Sequence, residues 1–190
     1  MSDASIAPPA PATIRREDYR PPEFAMPAIE LEFSLDPAAT VVTARQRYER
    51  RTQGDLVLYG EDQELLSVRL DGVELPAARY AIDGSRMVLR DLPDAFTLEM
   101  TSRIDPAANT SLMGLYLSNG VFCTQCEPEG FRRIVWSPDR PDVMSTYRVR
   151  IEADAAAFPI LLSNGNRLAG GELPGRRHWG AWAIAVAIPA

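Results

Sequence analysis

Apolar and polar side chains alternate with a period of two through most of this chain. Ile29, Leu31, Phe33 and Leu35 are separated by Glu30, Glu32 and Ser34, the pattern of a strand with one face in a core and the other in water. Asp36-Pro37-Ala38-Ala39 supplies a turn, after which Val42, Ala44 and Tyr48 resume the alternation, so this stretch predicts a hairpin. Further strands are predicted over 55–59, 65–70, 80–82, 86–89 and 96–104, with Asp71-Gly72 and Asp83-Gly84 as intervening turns. In the second half, 131–136, 147–154, 159–162, 167–172 and 177–185 repeat the pattern. Asn164-Gly165 reads as a tight turn between 158–162 and 167–168, because both residues accept positive φ. Helix is nearly absent; only 140–145, with Pro141 near its start, predicts one short turn. Strands at this density, broken by turn residues about every ten positions, predict an all-β domain, a sandwich or a saddle-like curved sheet.

Composition narrows the function. With 190 residues, 46% hydrophobic and 24% charged, the chain suits one globular domain. All twenty basic residues are arginine, and the net charge is −6, which argues against a phosphate-binding surface and hence a nucleic-acid partner. Arg45, Arg47, Arg50 and Arg51, interrupted by Glu49, are expected on a solvated strand face. Residues 1–17 read as a flexible Ala/Pro-rich tail and 18–190 as the folded domain. The opening MSDASIAPPAPAT lacks the basic and apolar regions of a secretory signal, and no stretch is long enough to span a membrane. A soluble, cytoplasmic chain is expected. No internal repeat, P-loop, dinucleotide fingerprint or nucleophile elbow is present.

Chemistry concentrates between Cys123 and Asp142, CTQCEPEGFRRIVWSPDRPD. Pro128 fixes its own φ and biases Glu127 away from helix, while Gly130 permits a sharp turn. Glu127 and Glu129 therefore stand on a bent connector that Arg132 and Arg133 can brace. From the residues alone two readings remain: a solvated turn, or a rigid loop that aims a carboxylate at a ligand. A cis Glu127-Pro128 bond would suit the second. Cys123 and Cys126 have C-x-x-C spacing, but His178 is the one histidine. Three soft or imidazole ligands fall short of a structural zinc site, and Pro and Gly stand where a redox motif would want a helix. Reduced cysteines and a structural His178 are expected.

Several ordered motifs carry a family resemblance. The loop itself, DPAANT at 105–110, GLY at 114–116 and LLSNGN at 161–166 resemble the N-terminal domain of aminopeptidase N, the zinc-dependent alanyl aminopeptidases of the gluzincin group. The resemblance runs from about Asp18-Tyr19-Arg20-Pro21-Pro22 to His178-Trp179. It implies a β domain that recognises the free end of a peptide, with zinc held by a separate catalytic domain on a His-Glu-x-x-His helix. That motif, and the Gly-x-Met-Glu-Asn strand before it, are absent from these residues, so no catalytic or metal residue is assigned here and inactivity alone is expected. By the same resemblance, Glu127 binds the substrate α-ammonium and Gln125 lines the pocket for the first side chain. Glu129 is assigned to bracing and Arg132 to holding the loop. The closing GAWAIAVAIPA departs from the family pattern, as a truncated, frameshifted or divergent terminus would, and exposed apolar surface or an open edge is expected to favour self-association. The other reading is a non-catalytic β-sandwich interaction module derived from that family.

Overall fold

Most of the period-two stretches become strands, divided between one large sheet and a smaller one. The structure, a computed structural model, describes residues 15–189; the first fourteen residues of the expected tail lie outside these, and Arg16–Asp18 forms a single 3-10 turn. Thirteen strands follow in chain order: β1 (Phe24–Ser34), β2 (Thr40–Arg50), β3 (Leu56–Tyr59), β4 (Glu64–Leu70), β5 (Val73–Glu74), β6 (Tyr80–Asp83), β7 (Arg86–Leu89), β8 (Ala95–Ile104), β9 (Gly114–Ser118), β10 (Val121–Gln125), β11 (Ser145–Asp154), β12 (Asn166–Leu173) and β13 (Arg177–Ile188). Eight of them make a sheet in the order β12-β13-β11-β1-β2-β8-β4-β5, beside a three-stranded sheet β3-β7-β6 and the hairpin β9-β10. The pairing of β1 with β11 is parallel. No helix among the described residues is long and apolar enough to cross a membrane.

Alternation puts one face of the large sheet inside. Ile29, Leu31 and Phe33 of β1, Val42, Ala44 and Tyr48 of β2, and Leu98 and Met100 of β8 are buried, while Glu30 and Glu32 are exposed. A bulge between Ala25 and Ala28 shifts the register and lets Met26 and Ile29 both face the core across a three-residue spacing. At the β1–β2 turn the Asp36 carboxylate accepts the N–H groups of Ala38 and Ala39, each at 3.0 Å. On the outer face Arg45 pairs with Glu99 at 2.6 Å and with Glu32 at 2.7 Å, as a solvated charge ladder should. Arg50 departs from that expectation. Its guanidinium lies 4.5 Å from the Phe24 ring centroid and donates to the Leu92 carbonyl at 2.6 Å.

Two covers lie over the inner face. The small sheet contributes Leu56, Leu58, Met87 and Leu89 to one apolar cluster, with Phe24, Tyr48, Phe96 and Trp136. The hairpin and the loop after it contribute Leu115, Phe131, Ile134 and Val135 to a second cluster, with Ile29, Leu31 and Phe33. An apolar groove of about 740 Å³ remains between the β1, β11 and β13 end of this face and the segment around Phe158 and Leu161.

Three sequence expectations give way here. Residues 131–136 are a 3-10 turn, Phe131–Arg133, followed by an irregular stretch. Their apolar side chains do not alternate, since Phe131, Ile134, Val135 and Trp136 are all buried. Residues 159–162 form no strand, and the Asn164-Gly165 hairpin does not exist: β12 pairs with β13 through the turn before Arg177. Pro159 lacks the N–H of a ladder, and Ile160 and Leu162 point to solvent. At 140–145, where one short turn is expected, a single turn closes from Val143 N–H to the Arg140 carbonyl at 3.1 Å, before Ser145 enters β11.

Candidate functional site

The β9–β10 hairpin aims the chain at the loop that follows it. Asn119 and Gly120 both have positive φ, 48° and 77°, the geometry of a two-residue primed turn, and Gln125 ends the ladder opposite Gly114. From there the chain closes into a knuckle. Gly130 N–H donates to the Cys126 carbonyl at 2.8 Å, and Gln125 Nε2 donates to the Glu127 carbonyl at 2.8 Å. The Glu127-Pro128 bond is cis and Glu129 has φ 63°. Gly130 is required by space: a Cβ there would lie 2.8 Å from Cys126 Cα. The side chains of Gln125, Glu127 and Glu129 are exposed at its tip.

Below the tip, every charged group is tied down. Arg132 Nε donates to Asp139 Oδ2 at 2.6 Å and Arg132 N–H to the same oxygen at 3.2 Å. Its guanidinium also meets Glu129 at 3.2 Å and lies 5.0 Å from the Tyr59 ring centroid. Burial is the largest single influence on Arg132 and disfavours its cation, but the Asp139 hydrogen bond together with the charges of Asp139, Glu129 and Glu61 outweighs it, and its pKa is raised. The Arg132 carbonyl accepts from Glu61 N–H at 2.9 Å and Gln63 Nε2 at 2.8 Å. Arg133 pairs with Glu61 at 2.9 Å and with Asp62. Further along, Ser137 and Tyr59 exchange backbone hydrogen bonds of 2.7 and 3.1 Å. The buried Gln46 donates to the Trp136 carbonyl at 2.7 Å and accepts from Tyr48. At the far end Arg140 holds Asp142 at 2.8 and 2.7 Å, and Tyr19 donates to it at 2.9 Å. The Arg140 hydrogen bond therefore lowers the Asp142 pKa. Glu127 takes no part in any ion pair or side-chain hydrogen bond among the described residues.

The residues considered for metal or redox chemistry do not converge. Both cysteines are free thiols. Burial, aided by the charges of Asp139 and Glu127, pushes Cys126 up to about 11, which suppresses the reactive thiolate. His178 on β13 has Nε2 2.7 Å from the Phe158 carbonyl. Among the described residues no three His, Cys, Asp or Glu side chains are grouped to hold a metal ion. The residues present therefore do not fit zinc.

Sequence reasoning passed over two parts of this site. The β9–β10 hairpin was signalled by Asn119-Gly120 between apolar residues on both sides. Asp139 carried no signal of its own, since DRP in the sequence reads as a stiff corner and its partner Arg132 is identified only by the fold.

The sequence profile of the Peptidase M1 N-terminal domain matches residues 61–190. The chain belongs to this family. Among relatives of this M1 N-terminal domain, aminopeptidase N of Caulobacter vibrioides is 50% identical over 176 residues, covering 91% of this chain and 20% of the relative. Aminopeptidase N of Escherichia coli is 46% identical over 169 residues, covering 88% and 19%. The chain thus spans about a fifth of the length of the curated relatives it matches. The crystal structure of Legionella pneumophila aminopeptidase A in complex with aspartic acid superposes with a TM-score of 0.85 at 32% identity, over 91% of this chain and 21% of that one. An M1 zinc metallopeptidase of Deinococcus radiodurans shares the fold, with a TM-score of 0.73 at 16% identity, over 88% and 40%.

Proposed function

We propose that this M1 N-terminal domain supplies the amine-recognising side of a zinc aminopeptidase site, acting on the free N-terminus of a peptide. Glu127 receives the α-ammonium, and Gln125 lines the pocket for the first side chain. One observation carries the reading: among the described residues Glu127 is the exposed carboxylate without an ion-pair partner at the tip of a loop whose other charges, Glu129, Arg132, Arg133 and Asp139, are all engaged. The knuckle holds its backbone while leaving its charge available.

In open water such a carboxylate attracts an ammonium only weakly. Covered by a partner surface that excludes water, the same contact becomes strong and selects against peptides whose end is blocked. The relatives' length makes room for a zinc-bearing catalytic domain, which would activate water and polarise the scissile carbonyl. The described residues hold no group of side chains for that centre. Their part is to bind and orient the free end, so that the first peptide bond is the one presented.

The test is a chimera in which residues 18–178 replace the matching segment of the Caulobacter aminopeptidase N. The chimera is expected to hydrolyse an alanyl anilide. Glu127→Ala in it is expected to lower kcat/KM by roughly 30-fold to several thousandfold, the effect of losing a contact of about 2–5 kcal/mol. Activity within threefold would remove Glu127 from the site. The 190-residue chain assayed alone, with zinc measured on the same sample, is expected to be inactive; zinc-dependent turnover would overturn the division of labour.

A further inference from the structure

We infer that Asp139 is a positioning residue for Glu127, acting through Arg132 and Glu129. The inference rests on the assignment of Glu127 to the substrate α-ammonium made above. Asp139 is only 6% exposed, so it does not touch a peptide. Its Oδ2 takes two hydrogen bonds from Arg132, one from Nε at 2.6 Å and one from the backbone N–H at 3.2 Å, and its own carbonyl takes a third from the guanidinium at 3.4 Å. One buried acid thereby fixes the main chain at residue 132 and the plane of the guanidinium together.

That plane has a direction. With one face 5.0 Å from the Tyr59 ring centroid, the guanidinium presents its outer nitrogen to Glu129 at 3.2 Å. Pro128 alone separates Glu129 from Glu127, and its ring leaves no free φ between them. On the other side, Gln125 Nε2 holds the Glu127 carbonyl at 2.8 Å. Glu127 is thus held from both flanks, and the flank that follows it is anchored in the core at Asp139. Asp139 itself has φ 42°, a left-handed conformation that its surroundings must maintain.

The chimera separates positioning from mere stability. Its inhibition is measured with alanine hydroxamate and with propionohydroxamate, which differ by the α-amine alone. Asp139→Asn is expected to weaken alanine hydroxamate about tenfold, the scale of coupling between residues in one network, and to leave propionohydroxamate within about twofold. In a Glu127→Gln background, Asp139→Asn is expected to add less than about twofold for either compound. Equal weakening of both inhibitors, or an undiminished effect in the Glu127→Gln background, would overturn the inference. Selectivity lost in Glu127→Gln but kept in Asp139→Asn overturns this inference alone. Selectivity kept in both removes Glu127 from amine recognition, and Asp139 with it. Thermal midpoints are recorded on every variant. Arg132→Lys keeps a cation against the buried carboxylate, so it carries the test if Asp139→Asn fails to fold, and the same amine-selective loss is expected of it.

Discussion

The tip and the base of the loop between β10 and β11 have opposite characters. Residues 125–129 are held mainly through backbone, and four of the five are exposed. Residues 130–139 join two apolar clusters, since Phe131, Ile134 and Val135 pack under the hairpin while Trp136 packs under the small sheet. The base therefore carries folding energy, and recognition is the role proposed for the tip. A rigid base lets a short exposed segment keep its shape without a core of its own, which is how binding residues come to sit on loops over scaffolds.

The contrast can be broken from its most stabilising side first. Trp136→Ala removes a side chain buried in the first cluster and is expected to cost about 3–5 kcal/mol in denaturant unfolding. A loss below about 1 kcal/mol would mean that the base is not core. Arg132→Ala leaves Asp139 buried and charged without its partner, and a loss of about 3 kcal/mol is expected. An effect no larger than that of a surface charge would put the clamp on the solvated side of the loop.

A smaller effect lies at the end of the loop. The Arg140 hydrogen bond holds the Asp142 carboxyl below its ordinary range, so its stabilisation is present above the unfolded value near 4 and is lost as pH falls through the lower folded value. The stability difference between the chain and Asp142→Asn is expected to be below about 1 kcal/mol at pH 7, because the pair is partly exposed. It should shrink as pH falls below about 4. A difference that grows toward acid would reverse the assignment.

The sequence made the large sheet readable because one buried face repeats every second residue in β1, β2 and β8. It misled where burial is continuous: residues 131–136 carry the composition of a strand, yet they fill space under two sheets as a 3-10 turn and coil. The two Asn-Gly pairs show the limit of local signals. Asn119-Gly120 turns a hairpin because strands exist on both sides, while Asn164-Gly165 does not because Pro159 precedes it and β13 offers β12 a longer partner. Of the site, the stiffness around Pro128 and Gly130 was readable from residue chemistry. The roles of Gln125 and Glu127 came from family resemblance. The clamp between Arg132 and Asp139 needed the fold, because nothing in seven residues of sequence says that both side chains turn inward.

Glu127→Ala gives the smallest expected change in stability and a large one in function, so it tests the division between tip and base most directly. Unfolding of the 190-residue variant is expected to stay within about 0.5 kcal/mol of the parent chain, while kcat/KM of the chimera falls by at least about 30-fold. A chimera within threefold of its parent, or a stability loss as large as that of Arg132→Ala, would contradict the assignment of recognition to the tip and folding to the base.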